Sequence, residues 1–182
     1  KMDADNPIKL AIMLATDSED DPKVEFAERA GCWQSCHHDA NYMPDQPYDS
    51  AKTVPLSKQL DLSDGFTKYL KESRTDIEIE GKNDKKRGGW DKLKSEAEIQ
   101  ALLENGSFMD LLRYKSGTGE SEDGYILAER VMTGGQGVQF TGELKDGIWT
   151  VEMTRKLTSD KLGDISMATD QWYNIGFAIH DY

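Results

Sequence analysis

Basic residues, histidine and cysteine are scarce in this 182-residue chain. It has 22 lysines and arginines against 34 acidic residues, three histidines and two cysteines. The resulting net charge of −12 argues against a nucleic-acid partner, because contacts to phosphate need a basic surface. No apolar stretch approaches the roughly 20 residues that a membrane-spanning helix requires. The length and composition predict one globular domain, with an acidic surface suited to docking on a basic protein.

A starting methionine and a signal peptide are also missing, since the chain opens with Lys1-Met2-Asp3. At the other end, Trp172 to His180 have the pattern of a strand, and the chain stops two residues later at Tyr182. We therefore expect residues 1–182 to form a single domain that is a processed or excised fragment of a longer chain.

Alternating apolar residues predict a mainly β protein. Strands are expected at 8–14, 108–115, 124–131, 138–144, 148–155 and 172–180, with Asp146-Gly147 as a hairpin turn. Ser95 and Glu98 have the spacing of a capping box and predict a helix that ends before Gly106. Residues 82–89 have the composition of a charged surface loop. Short antiparallel strands with glycine-rich turns favour a β-sandwich with a few short helices laid on it.

The rare residues that are present lie together. Both cysteines and two of the three histidines fall in the stretch GCWQSCHHD, residues 31–39, directly after a helix predicted over 23–30. One site that fits this stretch is covalent haem attachment, in which two thiols add to the haem vinyl groups and the next histidine binds the iron. The usual spacing is C-x-x-C-H. Here three residues separate Cys32 from Cys36, and His37 follows, so the loop must bulge to accommodate the extra residue.

A zinc centre and a disulfide are the other sites that fit these residues. Zinc bound by both cysteines with His37 and His38 is disfavoured, because four ligands so close in sequence do not readily surround a tetrahedral ion. No second Cys/His pair lies elsewhere in the sequence. A disulfide between Cys32 and Cys36 would close a short loop, stabilise the fold little and leave His37 without a role. Haem attachment is favoured over both.

A resemblance supports the haem interpretation. Residues 26–39, FAERAGCWQSCHHD, with MPD at 43–45, resemble the haem-attachment segment of bacterial c-type cytochromes. These cytochromes are related to the haem-binding γ subunits of ethylbenzene dehydrogenase and dimethylsulfide dehydrogenase. The segments DLLRYK (110–115), GIWTVEMTR (147–155) and IGFAIH (175–180) also fit, so the resemblance covers most of the chain. It implies an immunoglobulin-like antiparallel β-sandwich with a few short helices around a haem, and a role in electron transfer.

The expected function is that of a periplasmic monohaem c-type cytochrome domain, with one covalent haem c, which carries single electrons between redox proteins and is not an enzyme. Similar domains also occur behind membrane-anchored multihaem modules. Such a module, or a periplasmic reductase, is therefore an expected partner, and the full-length protein is expected to be soluble or membrane-tethered. One alternative is a haem-based sensor or ligand-binding domain with a labile axial position. Another is a haem-free β-sandwich binding module with a structural disulfide.

His37 is the expected first axial ligand of the haem iron. The second is expected to be His180, because alternation along a strand places it on the same face as Ala178 and Gly176. Small residues on that face would let a flat porphyrin lie close to the backbone. Met109 is the alternative second ligand. The γ subunits hold a non-covalent b-type haem between Met and Lys, and the resemblance does not carry that pair over to this chain.

The remaining expectations concern packing in the C-terminal half. Trp149 is expected in the core, and Arg155 is expected to pair either with a haem propionate or with a strand carboxylate. On the last strand, Ile175, Phe177 and Ile179 are expected to face the core.

Overall fold

The computed structural model describes residues 8–16, 23–24, 70–80 and 86–179 of the chain. In these ranges a 3₁₀ turn, Lys71–Ser73, and one α-helix accompany nine strands. In chain order they are β1 (Ile8–Thr16), β2 (Arg74–Glu80), β3 (Lys86–Leu93), α1 (Glu96–Glu104), β4 (Met109–Lys115), β5 (Glu120–Ile126), β6 (Arg130–Val131), β7 (Gln139–Lys145), β8 (Ile148–Thr154) and β9 (Tyr173–Ile179). The prediction of a mainly β protein is confirmed. No helix in these ranges is long and apolar enough to cross a bilayer.

Five strands form one antiparallel sheet in the order β6-β5-β4-β1-β9, while β2 with β3 and β7 with β8 form separate hairpins. The inner strands β1 and β4 are buried on both faces: residues 11–15 and 109–112 are all buried. Burial on both faces explains why these two segments are almost continuously apolar instead of strictly alternating. This sheet holds most of the hydrophobic core.

The register of the strands assigns each residue to one of two faces. Residues directly opposite each other in neighbouring strands share a face; Leu14 is opposite Asp110, and Met13 is opposite both Leu111 and Gly176. We call the first face the carboxylate face; its members in β4 and β5 include Asp110, Leu112, Tyr114 and Asp123. We call the second the small-residue face; it includes Ala11, Ala15, Gly176 and Ala178, together with Met109.

The hairpin of β7 and β8 packs on the carboxylate face. The ring of Phe140 in β7 lies with its centroid 5.9 Å from that of Tyr114, and its backbone N–H donates to the Ser121 hydroxyl at 2.8 Å. A Cβ atom at Gly142 would overlap the Tyr114 ring, so glycine is needed for this close approach. The hairpin thus forms a second layer over β4 and β5.

Two local predictions are confirmed. Asp146 and Gly147 have φ angles of 52° and 80°, as a two-residue type I′ hairpin turn requires. At the start of α1, the Glu98 N–H donates to the Ser95 hydroxyl and the Glu98 carboxylate accepts from the Ser95 N–H at 2.9 Å, which completes the predicted capping box. Both predictions depend only on neighbouring residues, and both survive in the folded chain.

Two other predictions are wrong. Residues 86–89 begin β3 and pair with β2 instead of forming a loop. On β9, Ile175, Phe177 and Ile179 are 52%, 66% and 75% exposed, whereas Gly176 and Ala178 are partly buried. The physical reason is position: β9 is the edge strand next to β1, while the second layer covers β4 and β5 farther along the sheet.

Candidate functional site

The residues predicted to attach haem, Cys32, Cys36 and His37, lie outside the described residues, as do His180 and residues 25–30 of the expected helix. Their roles therefore stay predictions. Met109 begins β4, is 2% exposed and belongs to the hydrophobic core. Its burial is what the packing of an inner strand requires.

Met109 and the last described residue of β9 lie at different levels along the strands of the sheet. Ile179, the last residue of β9, is opposite Leu10, whereas Asp110, next to Met109, is opposite Leu14. Four residues of strand separate these levels, which is about 13 Å at ~3.3 Å per residue. Met109 therefore lies far along the strand direction from the described end of β9.

On the carboxylate face, the structure brings three acidic side chains together. Asp110 comes from β4, Asp123 from β5 and Asp164 from the segment between β8 and β9; their exposed fractions are 0%, 7% and 8%. One carboxylate oxygen from each lies within 4.8 Å of one from each of the others. We call Asp110, Asp123 and Asp164 the carboxylate cluster.

Arg155 anchors one member of the cluster. Its Nη1 donates to Asp110 Oδ2 at 2.8 Å, its Nη2 donates to the Ile165 carbonyl at 3.0 Å, and its side chain is 3% exposed. The Ile165 N–H donates to the same carboxylate oxygen at 3.0 Å. Of the two partners expected for Arg155, the structure therefore shows the strand carboxylate. Trp149 is partly buried against the core, close to expectation.

Backbone and hydroxyl groups hold the other two carboxylates. The Gly137 N–H donates to Asp123 Oδ2 at 3.2 Å. The Gln136 N–H and the Ser159 hydroxyl each donate to Asp164 Oδ2 at 2.6 Å. The loop that carries the Gln136 and Gly137 donors approaches so closely that a Cβ at Gly135, where φ is 68°, would overlap the Asp123 carboxyl group.

Each carboxylate uses only one oxygen in these contacts. The Oδ1 atoms of Asp110, Asp123 and Asp164 are buried and have no hydrogen-bond partner in the described part of the chain. The side-chain oxygen and nitrogen of Gln136 are in the same condition. A buried polar atom without a partner costs about 1–3 kcal/mol, and the described residues satisfy the cluster only in part.

The charges in the cluster do not balance, since one guanidinium faces three carboxyl groups. Burial raises the pKa of Asp110, although the Ile165 N–H and the Arg155 charge oppose this effect. Burial, together with the neighbouring charges of Asp164 and Asp110, raises the pKa of Asp123 to about 6. The cluster therefore attracts positive charge, either as a proton or as a cation.

An open cleft leads to the cluster from one side. It has a volume of about 330 Å³ and is lined by Thr16 of β1, by Leu103 and Phe108 near the end of α1, and by the segment from Ser159 to Ser166. Asp164 is part of this lining. A small solute can thus approach the cluster without unfolding the hairpin that covers the sheet.

Sequence reasoning did not find the carboxylate cluster. Its members are separated by 13 and 41 positions, and their spacing matches no metal-binding motif. One signal was present: Asp110 interrupts the apolar run from Phe108 to Leu112, and a charged residue is almost never fully buried without a partner. That signal identifies a buried carboxylate but not the two residues that meet it.

Comparison with known proteins finds two relatives with related names. Over 181 residues the chain is 38% identical to cytochrome c-552 of Stutzerimonas stutzeri. The alignment covers 99% of this chain and 45% of that protein. Over 42 residues it is 55% identical to cytochrome c-551 of Rhodocyclus tenuis, covering 23% of this chain and 15% of that protein. The chain thus spans less than half the length of each relative.

No family model matches the chain, and no solved structure matches it. The relation to known proteins therefore depends on the two relatives, one of which aligns with nearly the whole chain. Both carry the name of a cytochrome c, which supports the classification of this chain with the c-type cytochromes.

Proposed function

We propose that this chain is a monohaem c-type cytochrome domain that carries single electrons between proteins in the periplasm. One observation carries the proposal: a chain 38% identical to part of a cytochrome c-552 has its only cysteines in the segment CWQSCH. Two thiols followed at once by a histidine suit covalent haem attachment and axial ligation. Periplasmic location follows from the same chemistry, because haem is attached to such thiols outside the cytoplasm.

Cys32 and Cys36 hold the haem in this proposal, and His37 is the first axial ligand. The bound haem supplies a one-electron couple whose potential depends on the axial ligands, hydrogen bonding and burial. No acid or base catalyst is needed for electron transfer, so the domain is proposed to be a carrier and not an enzyme. The finer relation to the γ subunits, and an immunoglobulin-like sandwich around the haem, belong to this proposal.

His180 is the proposed second axial ligand, with Met109 as the alternative. Two observations support this order. Met109 is packed within the hydrophobic core, where its thioether already serves the packing of β4. By contrast, the end of β9 carries partly exposed Gly176 and Ala178 on the small-residue face, and these small side chains leave room for a flat macrocycle close to the backbone.

Covalent attachment is tested by producing the chain in a bacterium that attaches haem in its periplasm. We expect the mass of the protein plus one haem, and haem staining that survives denaturing electrophoresis. Replacement of both Cys32 and Cys36 by Ser should abolish the staining, whereas the neighbouring His38→Ala should retain it. A wild-type protein that loses all its haem on denaturation would overturn the proposal.

Axial ligation is tested by absorption spectroscopy of the same protein. We expect a six-coordinate, low-spin haem whose ferric spectrum lacks the red charge-transfer band typical of methionine ligation. His37→Ala and His180→Ala should each change the spin state. If His180→Ala leaves the spectrum unchanged and Met109→Leu alters it, Met109 is the ligand. A high-spin haem that binds carbon monoxide would instead indicate a sensor.

The proposed partner is a redox protein with a basic surface, such as a membrane-anchored multihaem module or a periplasmic reductase. The net charge of −12 supports this choice, because complementary charge accelerates encounter and is screened by salt over a Debye length of about 8 Å at physiological ionic strength. We expect the electron-transfer rate with a basic cytochrome to fall as salt rises. A rate that is independent of salt would contradict electrostatic docking.

A further inference from the structure

We propose that the carboxylate cluster of Asp110, Asp123 and Asp164 binds a calcium ion. This inference does not depend on haem attachment, since it concerns the opposite face of the sheet from Met109. Neither relative's name mentions calcium.

The free oxygens supply the first argument. The three side chains are each more than nine-tenths buried, and each keeps one oxygen, Oδ1, without a hydrogen-bond partner among the described residues. Their other oxygens are held by Arg155 and by N–H and hydroxyl donors. The described residues thus fix each carboxylate and leave one of its oxygens as an unused acceptor, which is what a bound cation requires.

The spacing and type of these atoms indicate the kind of cation. Carboxylate and amide oxygens favour hard cations over soft ones. Calcium binds oxygen at about 2.3–2.6 Å, so two of its ligands can lie up to about 5 Å apart. One carboxylate oxygen of each residue lies within 4.8 Å of one from each of the other two, which fits that span. Magnesium forms bonds of about 2.0–2.1 Å in strict octahedral geometry, so its ligand oxygens must lie closer together and in a more regular arrangement.

Gln136 provides a fourth candidate ligand. Its backbone N–H donates to Asp164, and its side-chain oxygen is buried without a partner in the described part of the chain. The loop that carries it, residues 133–137, includes Gly134, Gly135 and Gly137 with positive φ angles, which L residues other than glycine rarely adopt. The loop is therefore shaped to bring its backbone close to the carboxylates, next to the unpartnered amide of Gln136 in sequence.

Access from solvent and the local excess of negative charge also favour a bound cation. Asp164 borders the cleft between the end of α1 and residues 159–166, so an ion can reach the cluster from solvent and water can fill its remaining coordination positions. Arg155 offsets the charge of one of the three carboxyl groups, through its contact with Asp110. A divalent cation would neutralise the excess that Asp123 and Asp164 contribute.

The test is a calcium titration of the haem-containing protein after treatment with a chelator. We expect one calcium per chain by metal analysis, a measurable heat of binding, and a higher melting temperature with CaCl2 than with MgCl2 at equal concentration. Asp164→Asn and Asp123→Asn should each weaken calcium binding by at least about 10–100-fold. Loss of a residue that only positions a metal ligand already has an effect of that size. Metal analysis and calorimetry do not depend on electron-transfer activity.

The matched control is Asp160→Asn, which removes an exposed carboxylate from the same cleft and should leave calcium affinity unchanged. Failure of the wild-type protein to bind calcium would overturn the proposal, whether or not the variants fold. So would equal affinity in wild type, Asp123→Asn and Asp164→Asn. If the chelated protein binds no metal and Asp123→Asn stabilises it, the carboxyl groups share a proton instead.

Discussion

The strands of the five-stranded sheet bury a polar cluster on one face and an apolar layer on the other. Asp110 and Met109 are neighbours in β4, yet one belongs to a polar cluster beneath loops and the other to an apolar layer with small residues. Alternation along a strand makes this separation possible. One sheet can thus present two chemically different environments to adjacent residues of the same strand.

The two faces also differ in how many fixed polar contacts hold their side chains in the described part of the chain. On the carboxylate face, every carboxylate has at least one hydrogen bond of defined geometry, and glycines permit the closest approaches. On the small-residue face, the buried side chains of β1 and β4 are all apolar: Ala11, Met13, Ala15, Met109 and Leu111. A polar site needs fixed partners, whereas an apolar surface is defined by volume, and mutations should separate these two cases.

The largest expected effect is on the carboxylate face. Arg155→Ala leaves Asp110 buried without its cation, and removing one partner of a buried pair typically costs about 3–5 kcal/mol. We expect a loss of that size in the free energy of unfolding, measured by denaturant titration. Lys156→Ala, at the exposed neighbouring position, should change stability by less than about 0.5 kcal/mol. Equal effects of the two variants would show that the buried pair is not decisive.

The next effect is a pH dependence of the chelated protein. The pKa of Asp123 is raised to about 6, above its value in the unfolded chain, so the protonated form is favoured on folding. Stability from this group is present below about pH 4 and is lost as the pH rises through 6, by up to about 3 kcal/mol. Asp110 and Asp164 enhance the effect by repulsion, and Arg155 opposes it.

This pH dependence is measured as the difference between wild type and Asp123→Asn across pH 4–7, which cancels the titration of other groups. Asp160→Asn should follow wild type. Saturating calcium should remove the loss above pH 6, because the ion binds the ionised carboxylates and stabilises the folded state. A difference that does not vary with pH would contradict the raised pKa.

A smaller effect is expected from added volume on the small-residue face. Ala15 is completely buried, and Ala15→Leu inserts a larger side chain where neighbours leave no space, at a typical cost of about 1–3 kcal/mol. Thermal unfolding measures the loss. If haem lies against this face, the same variant should also shift the haem spectrum, whereas Arg155→Ala should not. A stable Ala15→Leu protein would show that this face is loosely packed.

Predictions from the sequence were correct where they depended on nearby residues and wrong or missing where they depended on the tertiary fold. The hairpin turn at Asp146-Gly147 and the capping box at Ser95 were predictable, because each depends on residues within four positions. The strands β4, β7 and β8 were predictable within one or two residues from their apolar patterns. The hairpin of β2 and β3 was missed, since Gly88 and Gly89 interrupt the side-chain alternation that signals a strand.

The carboxylate cluster was not predictable in the same way. Asp164 approaches Asp110 only because the segment after β8 folds back over the sheet, and no local pattern encodes that path. The prediction of which face of the edge strand β9 is buried was wrong for a related reason. The alternation on β9 was correctly recognised, but which of its faces is covered depends on where the β7–β8 layer lies, and this is a property of the tertiary fold.

The smallest expected effect tests that orientation. Phe177 is 66% exposed, opposite the buried Ile12 of β1. Phe177→Ser should therefore change the free energy of unfolding by less than about 0.5 kcal/mol, as substitutions at exposed positions usually do. Leu112→Ala is the control on the same face; Leu112 is completely buried, and its truncation should cost about 2–5 kcal/mol. Denaturant titration of both variants compares them directly. A loss above about 2 kcal/mol for Phe177→Ser would mean that this end of the sheet is covered in solution, and that the apolar face of β9 belongs to the core after all.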